Sequence, residues 1–262
     1  MRRAQTLRNA PNLRRALWTV LSGLVLVAAV AVAPAAGAAT QFGVSGASGS
    51  AAPAASTNPY GDSNLVSMFD GTDLTGWTQA AAGEWAVKSG AIYGNGTARG
   101  WIYYATRQAG TFRWIFDVKQ VKGNHAPTVL IWGTTAPLRD ALSAIQFQPP
   151  NGGHWDYRPG HNNGGGSEFK QLAHTKIPTS NWAQCEIIAD AATGVARMAC
   201  CPLAAGKATC KATEVLDFKD TTAGRTGPLA IQVHNAGIHD EYKGLYLESP
   251  VVDDPGGFIT TS

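Results

Sequence analysis

The residues best equipped for chemistry lie in one stretch, Ile145-Gln146-Phe147-Gln148-Pro149-Pro150-Asn151-Gly152-Gly153-His154-Trp155-Asp156-Tyr157-Arg158-Pro159-Gly160-His161. It opens as a strand in which amides alternate with apolar residues, so Gln146 and Gln148 share one face and Ile145 and Phe147 the other. After the double proline it reads as a loop that holds imidazoles, a carboxylate, a guanidinium and two large aromatic rings. A simple connection needs none of these. Amides and charges suit hydroxyl groups, flat rings such as Trp155 suit sugar C–H faces, and His154 and Asp156 can move protons. The expectation is a polyol site; the alternative is a surface loop packed on itself.

A second strand repeats the arrangement. In Leu229-Ala230-Ile231-Gln232-Val233-His234 the leucine, isoleucine and valine share one face, and Gln232 and His234 share the other. Two strands of this kind predict a concave polar surface, with Trp132 as a stacking floor. A solvated outer face is the competing reading.

These elements belong to a chain with a distinct leader. Arg2, Arg3, Arg8, Arg14 and Arg15 precede an apolar run from Leu17 to Ala33 and a small-residue site at Ala36-Gly37-Ala38. That order reads as a secretory signal peptide over residues 1–38, cleaved after Ala38, so the mature protein is expected to be secreted. Arg14-Arg15 also invites a twin-arginine reading. No later segment is apolar enough to span a membrane. The leader holds five of the 21 basic residues and no acid. The mature chain therefore keeps 16 basic against 18 acidic residues, a net charge of −2, which argues against a nucleic-acid partner.

Four cysteines in an exported chain imply two disulfides. Asp190 to Gly194 reads as a turn, and pairing Asp190 with Val195 sets Cys185 opposite Cys200. Cys200 and Cys201 are adjacent and point to opposite faces of a strand. The expected pairs are therefore Cys185–Cys200 and Cys201–Cys210, with the other two pairings left open.

Residues 39–60 are a flexible Ala/Ser/Gly-rich lead-in, residues 61–250 a single domain, and residues 251–262 a tail. Within the domain, short strands alternate with Gly, Pro and Asn turns, and Leu138–Leu142 is a candidate helical turn. The pattern predicts an all-β sandwich or barrel.

Several motifs carry a resemblance. Met68-Phe69-Asp70-Gly71-Thr72-Asp73-Leu74-Thr75-Gly76-Trp77 resembles the opening motif of the 3-keto-disaccharide hydrolase family. Trp85-Ala86-Val87-Lys88-Ser89-Gly90-Ala91-Ile92, the strand ending at Gln148, Asn181-Trp182 and Gly227–His234 follow in the family's order. The resemblance implies an antiparallel two-sheet jelly roll of the concanavalin A type. It also implies a hydrolase acting on glycosides or oligosaccharides already oxidised at C3. Such a ketone acidifies the C2 proton; its removal expels the C1 substituent, and water then adds back. In this setting His154 or Asp156 is the expected base, and His234 a donor or acid. Gln146, Gln148, Gln232, Arg158, His161 and Glu241 are expected at substrate oxygens. His239, Asp240 and Glu241 could hold a divalent cation on the ketone, although their spacing is no metal signature and an exposed acidic turn is the alternative; no cofactor is otherwise implied. One departure stands out. The family motif places a glutamate where this chain has Gln146, and an amide cannot accept a proton in that role. A non-catalytic carbohydrate-binding module is the rival reading.

Overall fold

The computed structural model of the chain describes residues 58–251 and 257–261. The leader and most of the lead-in lie outside the described residues. In chain order the strands are β1 (Val66–Ser67), β2 (Trp77–Gln79), β3 (Trp85–Lys88), β4 (Ala91–Gly94), β5 (Gly100–Tyr104), β6 (Phe112–Lys122), β7 (Thr128–Ile131) and β8 (Ile145–Gln148). There follow β9 (Gly153–Asp156), β10 (Phe169–Gln171), β11 (Ala183–Asp190), β12 (Val195–Pro202), β13 (Thr213–Lys219), β14 (Ala230–Val233) and β15 (His239–Glu248). They form two antiparallel sheets. The larger runs β10-β13-β12-β11-β6-β15-β4-β3 with β1 also on β15, and the smaller runs β2-β5-β14-β7-β8-β9. Among the described residues no helix is long and apolar enough to cross a membrane.

Period-two alternation builds the core. Phe112, Trp114, Phe116 and Val118 of β6 face inward, as do Val129 and Ile131 of β7, Ile145 and Phe147 of β8, and Ile231 and Val233 of β14. Each such side chain contributes roughly 1.5–3 kcal/mol on burial. The opposite face of β6 carries charge. Arg113 is 3% exposed and donates to Glu186 at 2.9 Å and to Glu248 at 2.5 Å. The far end of the expected tail seals this cluster: Arg113 also donates to the Gly257 carbonyl, and the Thr260 N–H and hydroxyl donate to Glu186.

The β11–β12 hairpin has Asp190 opposite Val195 and Cys185 opposite Cys200. The disulfides are Cys185–Cys200 and Cys201–Cys210. The first joins the main core, and the second belongs to a separate apolar cluster with Ile188 and Ala199. Peptide mapping without reduction is expected to recover these two links and no free thiol; any other linkage would contradict the hairpin register.

Two local expectations change. The candidate helical turn is a tight 3-10 turn over Asp140–Ser143, with Ala141 and Leu142 at φ 45° and 57°. Ser143 follows at φ 50°. Left-handed backbone costs non-glycine residues roughly 1–2 kcal/mol each. Burial of Ala141 and Leu142 against Leu130 and Ala230 offsets that cost. The stretch read as a loop from His154 begins instead as strand β9, which sets the direction of every side chain in it.

Candidate functional site

Register decides which residues meet. In the β8–β9 pair, Gln146 stands opposite Trp155, while Phe147 stands opposite His154 and Ile145 opposite Asp156. Directly opposed residues share a face. Trp155 therefore lies with the glutamines on the outer face of the smaller sheet, and His154 and Asp156 turn toward the other sheet. Gln232 of β14 pairs with Trp101 and with Thr128, placing all three on that outer face.

The amides there form a chain. Gln148 Nε2 donates to Gln146 Oε1 at 2.9 Å, and Gln146 Nε2 donates to Gln232 Oε1 at 2.6 Å. Gly153 makes room for this, because a Cβ there would strike the Gln148 side chain. Gln146, Gln232 and Thr128 are fully buried, and Gln232 Nε2 has no partner. An orphaned donor at that depth calls for a water or a ligand acceptor. The chain reaches the surface at Gln148, which is part-exposed.

Leu142 and its turn pack on this face against Leu130 and Ala230, with Tyr157 beside them. Arg99, one residue ahead of β5, fixes the edge of that cover. It makes a two-point contact with Asp140, 3.0 Å at each nitrogen, and donates to the His234 carbonyl at 3.1 Å. Its guanidinium lies 5.2 Å from the Tyr157 ring centroid.

Beside Arg99, His234 stacks on His125 with centroids 3.6 Å apart and planes 9° from parallel. His125 Nδ1 is 2.9 Å from the Ala126 carbonyl, an acceptor only, so Nδ1 carries the proton. His234 Nδ1 is 3.1 Å from Asn235 Oδ1, and the Asn235 amide nitrogen donates to the Ala236 carbonyl. The same tautomer follows for His234, so each ring presents Nε2 as a lone-pair acceptor. Burial pushes the His234 pKa down, and the His125 ring and the Arg99 guanidinium add to the depression. Burial and Arg99 likewise lower His125. Both rings are therefore neutral bases at pH 7.

Several expected site residues lie elsewhere. His154 stacks on Phe169, centroids 4.1 Å apart, and its Nδ1 meets the Gly152 carbonyl at 3.1 Å. Asp156 is fully buried and held by the Arg158 guanidinium at 2.7 Å. Arg158 also binds Asp220 at 2.5 Å, so it has little left for a sugar. Against the cost of burial, hydrogen bonds from Arg158 and Thr222 bring the Asp220 pKa down to about 2. His161 joins this cluster 3.2 Å from Asp156. Asp156, His161 and Glu168 present ligand atoms within 4.8 Å of one another, but Arg158 already neutralises Asp156. Trp132 is buried in the core and donates to the Gly110 carbonyl, so it cannot be a stacking floor. Trp155 does keep its place beside the glutamines and is part-exposed, with Gly164 packed so closely against its ring that a Cβ there would clash.

The suggested cation group also separates. His239 meets the Tyr93 hydroxyl, Asp240 is buried, and Glu241 pairs with Lys119 at 2.6 Å on the larger sheet. Accordingly, His154→Ala and Glu241→Gln should leave turnover within about twofold of wild type. Glu241→Gln should change stability by no more than about 1 kcal/mol, the scale of a part-exposed ion pair. A large loss of turnover in either would return that residue to the site. Arg99, His125, Trp101 and Tyr157 are the site residues that sequence reasoning left unassigned. Alternation of Arg99 with Trp101 and Tyr103 was a usable signal for the first, whereas His125 sits in a loop with no periodicity.

Two antiparallel sheets packed face to face, with an amide-bearing outer face, define a jelly-roll sandwich. The chain belongs to the 3-keto-alpha-glucoside-1,2-lyase-like domain family, whose sequence profile matches residues 64–248 and so spans β1 to β15. No curated protein matches it. Among solved structures, it resembles a candidate glycosyl hydrolase from Parabacteroides distasonis at 15% identity, covering 71% of this chain and 93% of that one, with a TM-score of 0.50. A carbohydrate binding module from Bacillus subtilis matches at 13% identity, covering 66% and 96%, with a TM-score of 0.48. At 15% identity the likeness to the Parabacteroides distasonis structure is one of fold.

Proposed function

We propose that the protein is an exported enzyme that cleaves 3-keto-glycosides by removing the C2 proton and expelling the C1 substituent. The observation that carries this reading is the stacked His125–His234 pair, two neutral imidazoles with Nε2 lone pairs, beside a guanidinium on the amide-bearing face. His234 Nε2 takes the C2 proton, and the electron pair moves into a C2–C3 enolate whose oxygen carries the charge. Arg99, whose charge acts on both rings, offsets the enolate charge with the part of its fork that Asp140 and His234 leave free. The enolate then re-forms the ketone as the C1–O bond breaks, leaving a C1–C2 double bond, and the imidazolium returns its proton to the departing oxygen. Water then adds across the double bond, its hydroxyl to C1 and a proton to C2, to complete hydrolysis. Stacked 3.6 Å apart, the rings cannot both be protonated without repulsion, so the pair handles one proton at a time. Gln148 and Trp101 contact the sugar hydroxyls and ring face. Two disulfides fit an oxidising compartment and support export.

A second reading, a non-catalytic sugar-binding module, is favoured by Gln146, which stands where the family motif has a glutamate. Assaying the purified protein on paired 3-keto and unoxidised disaccharides tests both. Turnover of the keto-sugars alone supports the enzyme. Sugar binding with no turnover of any keto-sugar would replace it with the module.

A further inference from the structure

Asp240 is fully buried, and neither of its carboxyl oxygens has a hydrogen-bond partner. It stands opposite Gln120 in the β6–β15 pair, and the Gln120 amide is the donor in its neighbourhood. That amide is committed elsewhere: Gln120 Nε2 donates to the backbone carbonyl of His125, and Gln120 Oε1 lies 3.4 Å from the Thr179 hydroxyl. Gln120 thus ties the loop that carries His125 to the strand that faces Asp240.

Among the described residues, the groups around Asp240 offer no compensating charge. On its own strand Tyr242 uses its hydroxyl on Thr128, accepting from the Thr128 N–H at 3.1 Å and donating to the Thr128 carbonyl at 3.0 Å. His239, the preceding residue, is bonded to Tyr93 of β4. Lys122 of β6 stands opposite His239 and is exposed. From the loop the contribution is His125, a neutral ring. Burial accordingly pushes the Asp240 pKa up to about 8, with Gln120 acting in the opposite direction. At neutral pH the group is a carboxylic acid.

We propose that Asp240 is a positioning residue for the histidine pair: as the neutral acid it leaves the Gln120 amide to hold the His125 loop, and on ionisation it draws that amide away and unstacks His125 from His234. A bare buried carboxylate requires donors, and Gln120 stands opposite it and favours its charged form. The structural part stands by itself; its effect on turnover rests on the proposed role of His234.

The test is imidazole NMR of the intact mature protein against pH, in wild type and Asp240→Asn. In wild type the His125 and His234 resonances should show an inflection near pH 8, well above their own titration. Asp240→Asn, which mimics the neutral acid, should abolish it and keep the rings stacked. Turnover should follow: wild type should lose about tenfold between pH 7 and pH 9, and the variant should not. Stability gives a second readout. A folded-state value raised from 3.8 to about 8 gives stability that is complete below pH 3.8 and lost as pH rises through about 8. Asp240→Asn should therefore gain on wild type over that window.

An inflection that persists in the variant would overturn the proposal. So would an Asp240 carboxyl carbon in wild type that titrates below about pH 5, a measurement that needs no variant. An inflection that Asp240→Asn abolishes, in a protein with no activity on any keto-sugar, would support the positioning role and refute the enzymatic reading.

Discussion

His234→Ala should lower kcat on a 3-keto-glucoside by about a hundredfold or more, the usual scale of general-base catalysis. KM should move much less, because a proton-transfer contact matters mainly in the transition state. The pH profile gives the same role a second signature. The base must be neutral, and burial places His234 below the ordinary imidazole value of 6.5, with His125 and Arg99 lowering it further. On the acid side, activity should therefore be full at pH 7 and fall as pH drops through that depressed value. Steady-state kinetics across pH decide this. Undiminished turnover in His234→Ala would move the base to His125, whose Nε2 is presented in the same way.

The largest effect on stability should come from Arg113. Its guanidinium and the Glu186 and Glu248 side chains are each 4% exposed or less. Arg113→Met would leave two carboxylates buried without their cation, which typically costs about 3–5 kcal/mol. The Gly257 carbonyl would also lose its donor, loosening the C-terminal strap over β6. Urea unfolding at neutral pH should show this as a lower midpoint. A loss below about 1 kcal/mol would mean that solvent reaches the cluster more freely than its burial implies.

Much of the sandwich was legible because strand alternation is a local property. The strand from Ile145 to Gln148 follows from alternation alone, and pairing Asp190 with Val195 gives the β11–β12 register. The three glutamines lie on one face because alternation within β8 and β14 places them there. What failed was information that no single segment contains. Gly152-Gly153 interrupts the alternation after β8, so the sequence does not show that β9 turns His154 inward beside Phe147. Asp156 looks reactive in sequence, but Arg158 neutralises it two residues away, a pairing that needs the chain to fold back. His125 and His234 lie far apart in the chain and meet only when the β6–β7 loop passes the end of β14. Asp240 reads in sequence as part of an acidic turn or cation group; its burial is hidden because a register shift between His239 and Asp240 breaks the pattern of β15. Elements came from local periodicity, whereas the site depends on cross-strand register and loops.

The central claim is that the C2–H bond breaks during turnover. A 3-keto-glucoside carrying deuterium at C2, incubated with the protein beside an enzyme-free control for spontaneous exchange, tests it in one measurement. The expected result is a primary isotope effect on turnover, with deuterium lost to solvent and absent from the released sugar. Cleavage that leaves deuterium at C2 at the level of the control would contradict it, since direct displacement at C1 never touches that bond.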